Sequence, residues 1–202
     1  MDIVTKKYKL SETGSLPEQL KELIREIVKD SKLDIDKTEY VQKGLEVYKQ
    51  PDFNDGEKSV ITYITTGGID RDKEIIKPDG GDFTTYLKHP VVLFAHRYSD
   101  GLPIGRCSWI KSDGLNKGLI AKTIYANTPQ ADLIYNYRKD GFPLAVSIGF
   151  VPTSYVSAND ITKKDEFALE IKNAIKNGWV TEKNAGEVRN IIQKWTLLEY
   201  SD

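Results

Sequence analysis

Ile104-Gly105-Arg106-Cys107-Ser108-Trp109-Ile110-Lys111-Ser112-Asp113-Gly114, answered a few residues later by Gly118-Leu119-Ile120-Ala121-Lys122-Thr123-Ile124-Tyr125, decides the fold. The first run is rich in β-branched, aromatic and small apolar residues. Lys111-Ser112-Asp113-Gly114 has turn chemistry, and the second run is a strand again. Two strands about a tight connection make a hairpin. Upstream, Val60, Ile61, Tyr63 and Ile64 form another β-rich run, closed by Thr65-Thr66-Gly67-Gly68. Ile75-Ile76 reads as a short strand after a charged turn, and 82–88 as a helical turn or two. Strands with closely spaced turns predict an antiparallel sheet closed into a barrel.

Other segments surround this core. Residues 128–139 carry Ala131, Leu133, Ile134 and Tyr137 at helical spacing, opened by Thr128-Pro129 and stopped by Gly141. Phe167, Ala168, Ile171, Ala174 and Ile175 predict a helix ending at Gly178. Val188, Ile191, Ile192 and Trp195 predict a second one, capped by Thr181. This pair is a helical insertion at about 161–195. A helix-turn-helix is the other way to read it, but Asp165, Glu166, Glu170, Glu182 and Glu187 disfavour a DNA-facing surface. Thr196-Leu197-Leu198-Glu199-Tyr200-Ser201-Asp202 reads as a closing strand.

Residues 1–50 read as a helical extension, separate from a main domain over 51–202. Ser15 and Glu18 make a capping box ahead of a stripe of Leu16, Leu20, Leu23, Ile24, Ile27 and Val28. A second helix is expected from Asp36, with Tyr40, Val41, Gly44, Leu45 and Tyr48 on one side. Residues 50–56 look like a linker. Two short helices must pack on something, so they are a candidate docking or dimerisation arm.

Composition narrows the function. Hydrophobic residues make up 39% and charged residues 29%, which fits a packed globular chain rather than a disordered one. A formal net charge of -1 gives no global field toward nucleic acid or an anionic membrane. One cysteine, Cys107, forbids an internal disulfide and, with only two histidines, disfavours structural zinc. No apolar run reaches membrane-spanning length and no signal-peptide pattern opens the chain, so a reducing, cytoplasmic setting is expected.

Chemistry concentrates in two stretches. His89-Pro90-Val91-Val92-Leu93-Phe94-Ala95-His96 ends an apolar strand on a histidine, where a general base is held firmly yet reaches a substrate. Ala145-Val146-Ser147-Ile148-Gly149-Phe150 presents a serine between β-branched residues. We read His96 as the base that activates Ser147. A strand serine bonded to a neighbouring carbonyl and a core histidine are the ordinary alternatives. His89, before a proline, reads as an exposed loop residue. A third group must orient the imidazole. Glu199 is one candidate, and Asp100, Asp70 and Asp72 are others, because they flank loops that could reach His96. No Gly-x-Ser-x-Gly elbow surrounds Ser147, which disfavours a hydrolase of small esters built on that turn.

Five stretches together resemble one family. They are Thr66-Gly67-Gly68-Ile69-Asp70-Arg71-Asp72-Lys73-Glu74-Ile75-Ile76, Pro90-Val91-Val92-Leu93-Phe94-Ala95-His96, Pro103-Ile104-Gly105, Val146-Ser147-Ile148-Gly149-Phe150-Val151-Pro152 and Leu197-Leu198-Glu199-Tyr200-Ser201. They follow the order seen in the prohead proteases of tailed phages, serine endopeptidases distantly similar to herpesvirus assemblins. The resemblance implies His96 as catalytic base, Ser147 as nucleophile and Glu199 as the third member. Backbone N–H groups, with Arg97 or Arg106, are the expected oxyanion donors. Assemblins use a second histidine after the serine, and none follows Ser147 here. The family pattern usually continues beyond its closing strand with a Val/Pro/Ala/Asn-rich segment, whereas this sequence stops at Asp202. Either the chain was cut there or a longer precursor was processed, and a missing segment could leave the site incomplete. The implied substrates are the major capsid protein with its scaffold segment, and the protease itself, inside the immature procapsid in the host bacterial cytoplasm. No cofactor or metal is implied. The rival expectation is a non-catalytic capsid assembly or scaffolding protein that keeps the fold, with His96 and Ser147 merely structural.

Overall fold

The computed structural model describes residues 6–9, 18–30, 39–45, 51–98, 101–114, 117–142 and 144–202. In chain order these residues form β1 (Lys6–Lys9), α1 (Glu18–Asp30), β2 (Glu39–Leu45), β3 (Asp52–Asn54), β4 (Ser59–Thr66), β5 (Glu74–Ile76), β6 (Gly81–Asp82) and β7 (Val91–Leu93). There follow β8 (Gly105–Ser112), β9 (Gly118–Tyr125), α2 (Pro129–Lys139), β10 (Val146–Ser157), α3 (Lys164–Lys176) and β11 (Asn190–Ser201). The predicted hairpin is β8 and β9, paired antiparallel with Ser112 opposite Leu119. Its alternation is plain in β9, where Leu119, Ala121, Thr123 and Tyr125 are buried and the residues between them are half-exposed.

The fold is α+β, and its large sheet is mostly antiparallel. The hydrogen-bonded path is β1-β2-β10-β11-β7-β8-β9-β4-β3, with β5 and β6 added along β11. The expected closure into a barrel is not made among the described residues. The path is open, running from β1 at one end to β3 at the other. β3 is only three residues long and pairs with β4 alone, so its ladder ends after one short edge. The departures from antiparallel geometry all lie on β11, which takes β5, β6 and β7 in parallel, one after another along its length.

Three apolar clusters hold the elements together. The main one joins Val60, Ile64, Val92, Ile104, Ala121, Ile148, Phe150, Trp195, Leu197 and Tyr200, with Ala131, Ile134 and Tyr135 from α2. A second joins Ile24, Ile27 and Val28 of α1 to Val151 and Leu198, with Leu23 and Tyr98 against it. Ile24, Ile27 and Val28 of the stripe read as a possible docking arm are therefore covered within this chain. The third joins α3 to Ile75, Val156, Trp179, Val188 and Ile191.

Three sequence expectations change. The helix expected from Asp36 is not made over residues 39–45, which form strand β2, antiparallel to β10; Asp36 itself lies outside the described residues. Tyr40 and Val41 favour a strand and Gly44 disfavours a helix interior, so pairing prevails over a short helical period. Residues 52–54 are not linker but strand β3, and Phe53 sits edge-on to Tyr135 of α2 at 5.7 Å between centroids. The helix expected to run to Trp195 is absent as well. After α3 a turn spans 181–187, in which Asn184 Oδ1 accepts from Thr181, and β11 starts at Asn190. The apolar positions 188, 191, 192 and 195 fit a helical period, but β-branched Ile191 and Ile192 are ladder partners of Val156, Tyr155 and β5. The helices over 129–139 and 164–176 do form. Thr128 Oγ1 accepts from Ala131 N at 3.3 Å, and Gly178 takes the left-handed conformation after α3 at φ +70°. Ser15 lies outside the described residues. Among the described residues no helix is long and apolar enough to cross a membrane.

Candidate active site

The site is assembled by three adjacent strands, β7, β11 and β10. β7 is shorter than the apolar run suggested and ends at Leu93. Its parallel ladder with β11 continues two bonds further, from Asp202 N to Leu93 O at 3.1 Å and from Ala95 N to Asp202 O at 2.9 Å. The chain then turns back. Ala95 and His96 both lie in the left-handed region, at φ +51° and +57°. Each such residue without glycine's freedom costs about 1–2 kcal/mol, so the surrounding bonds must hold the turn. Arg97 N donates to Phe94 O and Tyr98 N to His96 O, both at 3.1 Å.

Ser147 stands between Val146 and Ile148, whose side chains are buried in the main core. A strand alternates, so the serine faces the opposite side of the sheet. Its ladder partners are Ser201 on β11 and Gly44 on β2. Glu199 lies opposite Gly149, and the ladder slips at the next step, so Phe150 faces Leu197 and Leu198 is the extra residue of a bulge. Simple alternation sets Glu199 opposite both Leu198 and Tyr200. The bulge instead sends Leu198 to the α1 side and Tyr200 and Leu197 to the main core.

The three side chains meet. His96 Nε2 is 2.6 Å from Ser147 Oγ, and His96 Nδ1 is 2.7 Å from Glu199 Oε1. The Glu199 side chain is 1% exposed and that of His96 16%. An ionised carboxylate only accepts, so Glu199 selects the tautomer with the proton on Nδ1. Nε2 is then left as an acceptor for the serine hydroxyl. This is the arrangement a base-activated nucleophile needs.

His89, Asp70, Asp72 and Arg106 lie in other elements. His89 is exposed and closes a 3-10 turn, its N–H donating to Tyr86 O. Asp70 Oδ1 accepts from Glu74 N at 2.9 Å and shapes the turn before β5. Asp72 is exposed in the same turn, and Asp100 lies outside the described residues. Arg106 is exposed on β8 opposite Ile124, and its charge acts on Glu57. Arg97 is exposed beside His96. Among the described residues no group of three or more His, Cys, Asp or Glu forms a metal-binding cluster.

A buried polar support under the histidine turn escaped the sequence reading. Asp202, whose backbone carries the two ladder bonds, accepts from the Tyr125 hydroxyl and lies 3.4 Å from Arg138 Nη1. Burial, then the Asp202 carboxylate, pushes the Tyr125 phenol well above its ordinary pKa, so it remains a donor. One signal existed: Arg138 continues the i, i+3, i+4, i+7 row of Ala131, Ile134 and Tyr135, which puts a charge on the buried stripe of α2. Nearby, the Tyr86 hydroxyl donates to Val91 O at 2.9 Å, and Thr123 Oγ1 and the Tyr200 hydroxyl are 2.8 Å apart. These bonds tie β7 and β11 to the core.

No protein-family model matches the sequence, and no curated protein matches it. The fold is similar to that of the bacteriophage T4 capsid assembly protease gp21. The TM-score is 0.51 at 7% identity, over 82% of this chain and 98% of that one. At that identity the likeness is one of fold.

Proposed function

We propose that this chain is a serine endopeptidase of phage procapsid maturation. It would cleave the major capsid protein with its scaffold segment, and itself, inside the immature shell in the host cytoplasm. The hydrogen-bonded row Glu199–His96–Ser147 is the observation that carries this reading. The fold likeness to a capsid assembly protease supports the biological setting.

The reaction is acyl transfer. Ser147 Oγ attacks the scissile carbonyl carbon while its proton passes to His96 Nε2. Glu199 Oε1 holds the Nδ1 proton and stabilises the imidazolium. Collapse of the tetrahedral intermediate breaks the C–N bond, and His96 returns the proton to the leaving amine. Water, deprotonated by the same nitrogen, then cleaves the Ser147 ester and frees the acid. General base assistance of this kind contributes about 10²–10⁴-fold.

The test is a small fluorophosphonate probe followed by mass mapping. Modification of Ser147, abolished in Ser147→Ala and His96→Ala, is expected. A folded parent that takes no label at Ser147 overturns the proteolytic reading and leaves a capsid assembly or scaffolding role. Unchanged capsid processing by Ser147→Ala in co-expression would reject Ser147 as nucleophile.

A further inference from the structure

Resting on that proteolytic reading, we infer that the edge of β10 beside Ser147 is the substrate-binding edge, that its ligand is an extended peptide adding as a strand, and that residues 39–45 occupy it as an internal stand-in for that peptide.

Acyl transfer requires a scissile carbonyl within reach of Ser147 Oγ. Extended peptides are commonly delivered as an added strand, their main chain held by a ladder. β10 has two edges. One is taken by β11, which carries Glu199 and also β5, β6 and β7, so it cannot leave without dismantling the site. The other is taken by β2, over the five residues Val146, Ser147, Ile148, Gly149 and Phe150. β2 holds no site residue, and its other partner is the four-residue β1. Of the two neighbours, only β2 is free to be exchanged.

The register supports the same conclusion. Gly44 is the ladder partner of Ser147. Adjacent strands lie about 4.8 Å apart, so the main chain around Gly44 runs past the nucleophile as a substrate backbone would. Gly44 has no side chain, so at that register β2 presents a bare peptide unit to Ser147.

The same stretch of chain also covers the sheet face next to the site. Ile24, Ile27 and Val28 of α1 pack on Val151 and Leu198, and Tyr98, two residues after His96, packs against them. Ser147, Gly149 and Val151 alternate on one side of β10, so α1 and β2 flank the nucleophile from the face and from the edge. A peptide substrate must displace β2, whereas a small electrophile need only reach Oγ.

The experiment compares two probes on the full chain: a small fluorophosphonate and a peptidyl phosphonate with an extended peptide arm. The double variant Gln42→Pro/Lys43→Pro removes consecutive β2 amides, one of which must face β10. If the edge is open only a tenth of the time or less in the parent, peptidyl labelling of Ser147 rises about tenfold or more in the variant, while small-probe labelling is unchanged. Equal peptidyl rates in parent and variant, with small-probe labelling intact, overturn the inference. A parent that the small probe does not label overturns the proteolytic reading instead. A second measurement needs no variant. Hydrogen exchange of the 39–45 amides should accelerate when the parent is labelled by the peptidyl probe and not by the small one. Protection that persists under the peptidyl probe sinks the inference.

Discussion

Gly149 and Glu199 face each other across β10 and β11, one step before the ladder slips by the extra residue Leu198. Counted from Leu197, which is buried in the main core, regular alternation would return Glu199 to that core. The bulge turns it toward His96 Nδ1 instead, 2.7 Å away. The carboxylate is thereby fixed by backbone register.

Glu199→Gln keeps the shape and changes the polarity. An amide at Nδ1 can donate as well as accept, which admits the tautomer with the proton on Nε2, facing the Ser147 hydroxyl. Acylation of Ser147 should slow by about 10²–10⁴-fold with little change in unfolding midpoint. Labelling at the parent rate would remove Glu199 from the mechanism.

Ala95 is left-handed at φ +51° without glycine's freedom. Ala95→Gly relieves about 1–2 kcal/mol of strain and loses about 0.5–1 kcal/mol to chain entropy. A net gain of about 0.5–1 kcal/mol in denaturant unfolding is expected, with Ser147 still labelled. Ala95→Val should lose stability. Equal midpoints for the three proteins would contradict a strained turn.

The Arg138–Asp202 pair is buried on both sides, so removing one charge strands the other. Arg138→Met should cost about 3–5 kcal/mol, and adding Asp202→Asn should restore at least half of it, since the Tyr125 hydroxyl can donate to an amide oxygen. The check is a double-mutant cycle by chemical denaturation. Additive losses would show that the two charges do not support each other.

Glu170 joins α3 to the sheet, accepting from Lys77 Nζ at 3.1 Å and Gln193 Nε2 at 3.1 Å. Burial pushes its carboxyl up, but the Gln193 and Lys77 hydrogen bonds and the Lys77 charge outweigh it, and the pKa falls below the ordinary 4.5. A depressed folded-state pKa gives stability that is present above the unfolded value and lost as pH falls through the folded one. Glu170→Gln should therefore cost about 1–2 kcal/mol near neutrality, with the gap to the parent closing as pH falls below the ordinary 4.5 and through the depressed folded-state value. A pH-independent gap would refute this.

Where local chemistry and tertiary pairing agreed, the fold was legible. The β8–β9 hairpin, the Thr128 cap and the Gly178 stop all act within a few residues, and each forms, though β8 takes in Lys111 and Ser112 of the expected turn. Where they disagreed, pairing prevailed. Residues 39–45 and 188–195 carry apolar positions that suit a helix, but the first is drawn onto β10 and the second onto β5 and β10. Neither partner is near in sequence. The open ends of the sheet were equally hidden, because closure depends on strand lengths and register rather than on alternation.

His96, Ser147 and Glu199 could be named from their stretches, but their meeting could not be measured there. The histidine stands 51 residues from the serine and 103 from the glutamate. Asp70, Asp72 and Asp100 were equally admissible partners by sequence. The choice of Glu199 at Nδ1 depends on a one-residue bulge and a left-handed turn, neither of which has a composition signal. Arg138 had one, a lone cation on a buried stripe.

β11 carries one site residue and receives β5, β6, β7 and β10, yet it comes after all of them in the chain. During synthesis the imidazole-bearing turn and the serine-bearing strand leave the ribosome first, and the strand that joins them, residues 190–201, comes last. A nascent chain therefore holds Ser147 and His96 without the strand that unites them. On the proteolytic reading proposed above, the order of translation itself would delay any cutting until residues 190–201 have been made.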